Sequence, residues 1–91
     1  MPQIFEHDAN ATLDYTIDWS AWLDAGDTIS TSVWAVESGD VTLATPTING
    51  DLTQIWASAG TVGTAATVRN RITTAAGRID DRTLTLVIRE R

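Results

Sequence analysis

The residues of this chain whose types could do acid–base or metal chemistry are few: one histidine, His7, and two close pairs of carboxylates, Asp24 with Asp27 and Asp80 with Asp81. Two carboxyls do general acid–base work when they flank a pocket, and a 91-residue chain of this pattern fills its interior with side chains. The paired aspartates read instead as turn residues. A metal site needs several donors at ligand spacing, and His7 stands without a His, Cys or carboxylate cluster of that kind. Asp24, Asp27 and Asp40 are the set that loops at one end of a sandwich would pool around calcium, but they lack EF-hand spacing. A serine nucleophile needs a base held by a third group, and the only histidine lies near the N-terminus. Cysteine and lysine are absent, which removes thiolate and Schiff-base chemistry. The chain is therefore expected to have no catalytic residues, no cofactor and no metal, and to work through its surfaces.

Two features speak to surfaces. The first is aromatic: four tryptophans stand beside one Phe and one Tyr. Trp56 alternates against Ile55 and Ala57, which turns it outward if those two face the core. Tryptophan is enriched at interface hot spots because one rigid side chain buries a large area. The competing reading is a Trp lying flat on its own sheet, packed by threonines. The second feature is charge. Residues 1–51 hold nine acidic side chains and no Arg, whereas residues 52–91 hold all six arginines against Asp80, Asp81 and Glu90. That is −9 followed by +3 within a net charge of −6. Either the two halves pair internally across neighbouring strands, or an acidic face of one subunit meets a basic face of another. Arg69 and Arg71 share the parity opposite Val68 and Ile72 and should point away from the core. With Arg78 in the following turn they form a candidate basic patch. The net negative charge argues against nucleic-acid binding, which needs cations for phosphate.

The elements that must carry these groups are short strands. Leu13, Tyr15, Ile17 and Trp19 alternate with Asp14, Thr16 and Asp18, the pattern of a half-buried strand. Ser20–Asp27 reads as a helical turn that folds Trp22 or Leu23 back over the sandwich edge. Thr28–Val36 carries Ile29 and Val33 on one parity, Trp34 and Val36 on the other, which predicts a bulge near Thr31-Ser32. Val41–Ile48 is interrupted by Pro46, as an edge strand tolerates. Asn49-Gly50-Asp51 predicts a tight turn into Leu52–Ser58. Ala65–Thr74 and Arg82–Arg89 complete the set, with Tyr15, Ile17, Trp19, Val68, Ile72, Leu84 and Leu86 as predicted core. Residues 1–12 show no periodicity and read as an extended N-terminal arm presenting Ile4 and Phe5 to a neighbour. The predicted fold is an all-β, Ig-like or fibronectin III-like antiparallel β-sandwich of six to seven strands over residues 13–91. No apolar run is long enough to span a bilayer. The start, Met1-Pro2-Gln3-Ile4-Phe5-Glu6-His7-Asp8, lacks the pattern of a signal peptide, so the mature chain is expected to begin near Met1. A small domain without cysteine suits assembly in a reducing cytosol.

From Leu13 to Arg91 the chain resembles a family of small tailed-bacteriophage proteins, the fiber–tail adaptors. The resemblance rests on Asp14-Tyr15-Thr16-Ile17-Asp18-Trp19-Ser20-Ala21-Trp22-Leu23, Gly26-Asp27-Thr28-Ile29, Val33-Trp34-Ala35-Val36, Ile55-Trp56, Gly60-Thr61-Val62-Gly63-Thr64 and Asn70-Arg71-Ile72-Thr73-Thr74-Ala75-Ala76-Gly77-Arg78. One departure is Ala66, where the family tends to carry a large aromatic. Trp56 or Trp22 would have to supply the anchor lost there. The resemblance implies a structural virion protein, assembled in the bacterial cytoplasm, that docks on a tail or collar ring in several copies and meets a fiber, with no nucleic-acid or membrane partner. Phages also use such sandwiches as capsid decoration. A third reading, a carbohydrate-binding module, follows from an outward Trp56 beside polar loops.

Overall fold

The computed structural model describes residues 3–90; Met1, Pro2 and Arg91, and the side chain of Gln3, lie outside the described residues. Those three include the tip of the expected arm and the last of the six arginines. Seven strands follow one another with no helix between them: β1 (Gln3–Asp8), β2 (Thr12–Asp18), β3 (Ile29–Ser38), β4 (Val41–Asn49), β5 (Leu52–Ala59), β6 (Ala65–Thr74) and β7 (Ile79–Arg89). They make a four-stranded sheet in the order β1-β7-β6-β3 and a three-stranded sheet in the order β2-β5-β4. This is the Ig-like sandwich that the alternation predicts.

Period-2 patterning explains the core. Ala66, Val68 and Ile72 of β6 and Leu84, Leu86 and Ile88 of β7 share one inward face, each at most 1% exposed. They meet Tyr15, Ile17 and Trp19 from the other sheet, and all seven predicted core residues are buried. Each large aliphatic side chain taken fully out of water contributes roughly 1.5–3 kcal/mol, so these rows set the register. Leu13, at the start of β2, remains exposed.

The turns follow their chemistry. Asn49 pairs with Leu52, leaving Gly50, at φ 61°, as the first of two loop residues, the position that a type II′ hairpin gives to glycine. Pro46 lies in a break of register between Ala44 and Thr47 on β4, an edge strand, where a missing N–H costs no ladder bond. β3 breaks register with β6 twice, between Val36 and Ser38 and, as a bulge one residue earlier than predicted, between Ile29 and Thr31. The bulge puts Trp34 half-buried against the core and leaves Val33 60% exposed. The segment after β2 is a set of turns: Trp22 and Leu23 both donate backbone N–H groups to the Trp19 carbonyl, and both side chains pack against the core.

Two expectations need correction. Gln3–Asp8 is no arm outside the domain but an edge strand of the four-stranded sheet, parallel to β7 from Gln3↔Leu84 to Asp8↔Arg89. The chain then crosses to the other sheet within three residues, Ala11 N–H donating to the Asp8 carbonyl and Asn10 N–H to the Asp8 side chain. Its inward side chains, Phe5 and His7, are one aromatic and one polar residue, so no apolar alternation betrays the strand. Asp80 and Asp81 are likewise not turn residues; both lie in β7, with Asp81 directly across from Arg71.

The corner at Ala66 also has a physical account. A Cβ built on Gly39 would lie 2.7 Å from both Cα and Cβ of Ala66. The β3–β4 turn therefore fills the space a larger residue at position 66 would need. Trp56, outward on the opposite sheet, does not substitute for it.

Candidate docking surfaces

The outer face of the four-stranded sheet is where β6 presents Arg69 and Arg71. Register places Arg71 between Val33 and Asp81, and Arg69 between Ala35 and Thr83. Arg71 grips Asp81 with two bonds, Nε to Oδ1 at 2.7 Å and Nη2 to Oδ2 at 3.0 Å. That hydrogen bonding holds the Asp81 carboxyl below its ordinary range and raises the guanidinium further. Arg69 reaches Glu37 at 3.1 Å, and Arg89 reaches Glu6 at 3.1 Å. Each cation on this face thus has a carboxylate, so the face is broad and near-neutral rather than a bare basic patch. Ile4, 71% exposed, sits at its β1 edge. Phe5 turns the other way, inward onto Tyr15 with ring centroids 5.2 Å apart.

Arg78 is elsewhere. At one end of the sandwich, cations cap both sides of a tryptophan pair: Arg82 lies 4.4 Å from the Trp19 ring centre and Arg78 lies 4.3 Å from that of Trp22. The two indoles meet edge-on at 5.6 Å. Attraction between guanidinium and ring quadrupole is reinforced by Arg82 donating to the Asp18 carbonyl and by Arg78 beside Asp24. The Asp27 carboxylate accepts from the N–H groups of Thr28 and Ala76, tying this loop to the β6–β7 turn. Trp19–Leu23 and Asn70–Arg78, far apart in sequence, thereby converge on one end.

Beneath the pair lies a polar cluster that sequence reasoning missed. Asn70, Thr53 and Thr74 are buried. Trp19 Nε1 lies 3.0 Å from Thr53 Oγ1, which donates to Asn70 Oδ1 at 2.7 Å. The Asn70 amide donates to Ser32 Oγ and the Val33 carbonyl. Parity was the available signal, since Asn70 is in phase with Val68 and Ile72, and Thr53 with Ile55 and Ala57.

The outer face of the three-stranded sheet carries Trp56, half-buried between Asp14 and Ala44 on the adjoining strands. Gln54 donates to Asp14 at 2.7 Å. A shallow depression of about 290 Å³ is lined by Thr16, Thr47, Asn49, Leu52 and Gln54. Because β2 belongs to this sheet and β6 to the other, Asp14 and Asp18 point away from Arg69 and Arg71. The six candidate residues therefore fall in four places: Ile4, Arg69 and Arg71 share a face, Trp56 occupies the opposite one, Arg78 braces one end, and Phe5 is internal. Of the aspartates considered for calcium, Asp24 and Asp27 share one turn while Asp40 lies in the β3–β4 turn, and each is engaged by other partners. Asp24 meets Arg78, Asp27 holds its turn, and Asp40 accepts from both the N–H and the hydroxyl of Thr61. Among the described residues no group of three or more His, Cys, Asp or Glu side chains could hold a metal ion.

Comparisons with known proteins bear on the family and the fold. The profile of the family described as "Gp77: Podophage GP4 fiber-tail adaptor protein gp77" matches residues 7–87. No curated protein matches the sequence. Among solved structures, one described as "Solution structure of the PKD domain from KIAA 1837 protein" superposes with a TM-score of 0.63 at 14% identity, covering 98% of this chain and 80% of that one. At that identity the likeness is one of fold alone.

Proposed function

The chain belongs to the podophage GP4 fiber-tail adaptor family, and on that premise we propose that it is a virion component that docks on the tail and links it to fibers. The observation that carries this reading is the family match across most of the sandwich, β2 to β6 included. An adaptor needs two partner surfaces, and the sandwich has two broad outer faces of different character. One is near-neutral and edged by Ile4, with Arg69 and Arg71 already held by carboxylates. The other is acidic, with Trp56 as its aromatic anchor. Trp56 engages one partner, and the Ile4–Arg69–Arg71 face the other. Phe5 and Arg78 act by holding β1 and the tryptophan pair in place. Several copies per particle are expected, since a tail ring repeats its docking site.

A density map of the intact particle with this chain located tests the proposal. Tens of copies at the joint between tail and fibers is the expected result. Hundreds of copies over the shell would replace it with capsid decoration. Glycan binding by the isolated domain, without a place at the tail, would replace it with a carbohydrate-binding module.

A further inference from the structure

Among the described residues His7 is the one titratable side chain buried completely, at 0% exposure, and no feature of the docking faces uses it. Its Nδ1 lies 2.7 Å from the Tyr15 hydroxyl on β2, the rings tilted with centroids 5.8 Å apart. Its Nε2 is buried and makes no hydrogen bond of ordinary geometry, although the backbone of Ala59 approaches the ring. A neutral imidazole tolerates this site, because one nitrogen is satisfied and the other leaves at most one polar group unpaired. An imidazolium carries two N–H donors and a full charge, and a buried charge without a partner is costly.

Every neighbouring element bears on that charge. From β2 comes Tyr15, whose hydroxyl burial holds protonated, so it supplies no anion. From the end of β5 comes the Ala59 backbone, which, less than Asp8 and burial, bears on the ring by favouring its protonated form. From β7 comes Ile88, the residue opposite His7 in register, which is apolar. On β1 itself Asp8 favours the protonated ring, but burial outweighs it and keeps the imidazole below its ordinary pKa. Glu6 and Arg89 face outward and pair with each other.

We propose that β1 is an acid-released strand: protonation of His7 undocks Gln3–Asp8 from β7 while the other six strands stay folded. Three observations favour local release over global unfolding. β1 is an edge strand with β7 as its sole neighbour in the sheet, so leaving breaks one ladder. Among the described side chains of β1 only Phe5 and His7 turn inward, and Ile4 is already 71% exposed. β7 keeps its other partner, pairing with β6 from Thr73↔Ile79 to Ala65↔Val87. Low-stability edge segments of this kind open as units separate from the core. Release leaves a free β7 edge with unpaired N–H and C=O groups, the template that strand addition uses. It is a property of the isolated domain, whatever that domain docks against.

The sign is fixed by linkage. The docked form binds fewer protons than the released form, so docking weakens as pH falls below about 6.5, the free imidazole value, toward the lower docked pKa. The test is residue-resolved amide exchange on the full chain from about pH 7.5 to pH 5, with protection corrected for the intrinsic rate. The β1 amides bonded to β7 should hold their protection down to about pH 6.5 and then lose about tenfold per pH unit toward the docked pKa, while β6 amides hold theirs. His7→Gln, which cannot charge, should abolish the loss. In the unaltered chain, the loss should level off over the pH range in which the His7 ring titrates by NMR, which keeps the test decisive should the variant fail to fold. Protection in β1 that stays level while the His7 ring titrates, or that falls only together with β6, would overturn the proposal.

Discussion

Trp19 and Asn70, 51 residues apart in sequence, meet between the two sheets with indole Nε1 3.3 Å from Asn70 Oδ1. Trp19 follows β2 of the three-stranded sheet, and Asn70 lies in β6 of the other. With Thr53 on β5 and Ser32 on β3, the cluster stitches the two sheets by directional bonds, where apolar packing alone would tolerate slippage. Each buried polar atom here is satisfied by another, so the set stands or falls together.

Asn70→Ala removes two acceptors' worth of bonding and two donors at once, stranding Thr53, Ser32 and the Val33 carbonyl. The unfolding free energy should fall by about 3 kcal/mol, read by urea denaturation with an unchanged m-value. Ser32→Ala, at the periphery of the cluster, should cost about 1 kcal/mol or less. Equal effects of the two variants would contradict the central place given to Asn70.

Two glycines with positive φ separate crowding from backbone strain. Gly50, at φ 61°, has nothing within 4 Å of a built Cβ, whereas at Gly39, φ 90°, that Cβ would meet Ala66 at 2.7 Å. Gly50→Ala should cost about 1–2 kcal/mol, the strain term alone. Gly39→Ala should cost clearly more, by about 1–3 kcal/mol of overpacking. Thermal melts of the pair check this, and similar melting temperatures would refute the close approach at Ala66.

The sandwich was legible in the sequence because β2, β6 and β7 alternate strictly, and their large residues had one consistent inward face. The NG hairpin and the Pro46 edge were legible for the same reason: each requirement is local. Three things were not. β1 buries Phe5 and His7, too few and too unlike to make a pattern. The bulge in β3 was expected from the parity of Trp34 and Val36, but its exact place, between Ile29 and Thr31, was not. Asn70 and Thr53 obey parity but are polar, and only their partners across the core show that they belong inside. Charge followed the bland expectation in part: Arg69 and Arg71 do point away from the core, yet the partner of each was fixed by cross-strand register, which composition does not contain.

The cation–π contacts should be separable from charge alone. Arg82→Ala removes the guanidinium from Trp19 and its bond to the Asp18 carbonyl, and should destabilise by about 1 kcal/mol. Tryptophan emission should shift as the indole gains access to water. Arg82→Lys keeps the charge but loses the planar stack, so it should recover only part of the loss. Full recovery by lysine would reduce the contact to simple charge.

Asp40 predicts an acid limit distinct from that of His7. The Thr61 hydroxyl, then the Thr61 N–H, holds its carboxyl below the ordinary aspartate range. A depressed carboxylate contributes stability that is full above the unfolded pKa and is lost as pH falls through the folded one. Asp40→Asn should therefore lower the melting temperature at neutral pH, and the gap from the unaltered chain should close as pH drops below 3.8. A gap that persists at the lowest pH would show that shape, not ionisation, holds the 60–64 loop.

The Arg71–Asp81 pair offers a way to tell docking from internal pairing. Both side chains are substantially exposed, at 50% and 37%, so the pair should matter little to folding. Reversing Arg69 and Arg71 to Glu places like charges beside Glu37 and Asp81, and the melting temperature should move by only a few degrees. Incorporation into particles should fall sharply if this face meets a partner, and the binding lost should be the salt-sensitive part. The decisive variant is the exchange of Arg71→Asp with Asp81→Arg. It restores an ion pair within the protein but inverts the charge pattern that a partner reads. A purely internal role predicts recovery of both melting temperature and incorporation. A docking role predicts recovery of the melting temperature alone, and that is the outcome expected here.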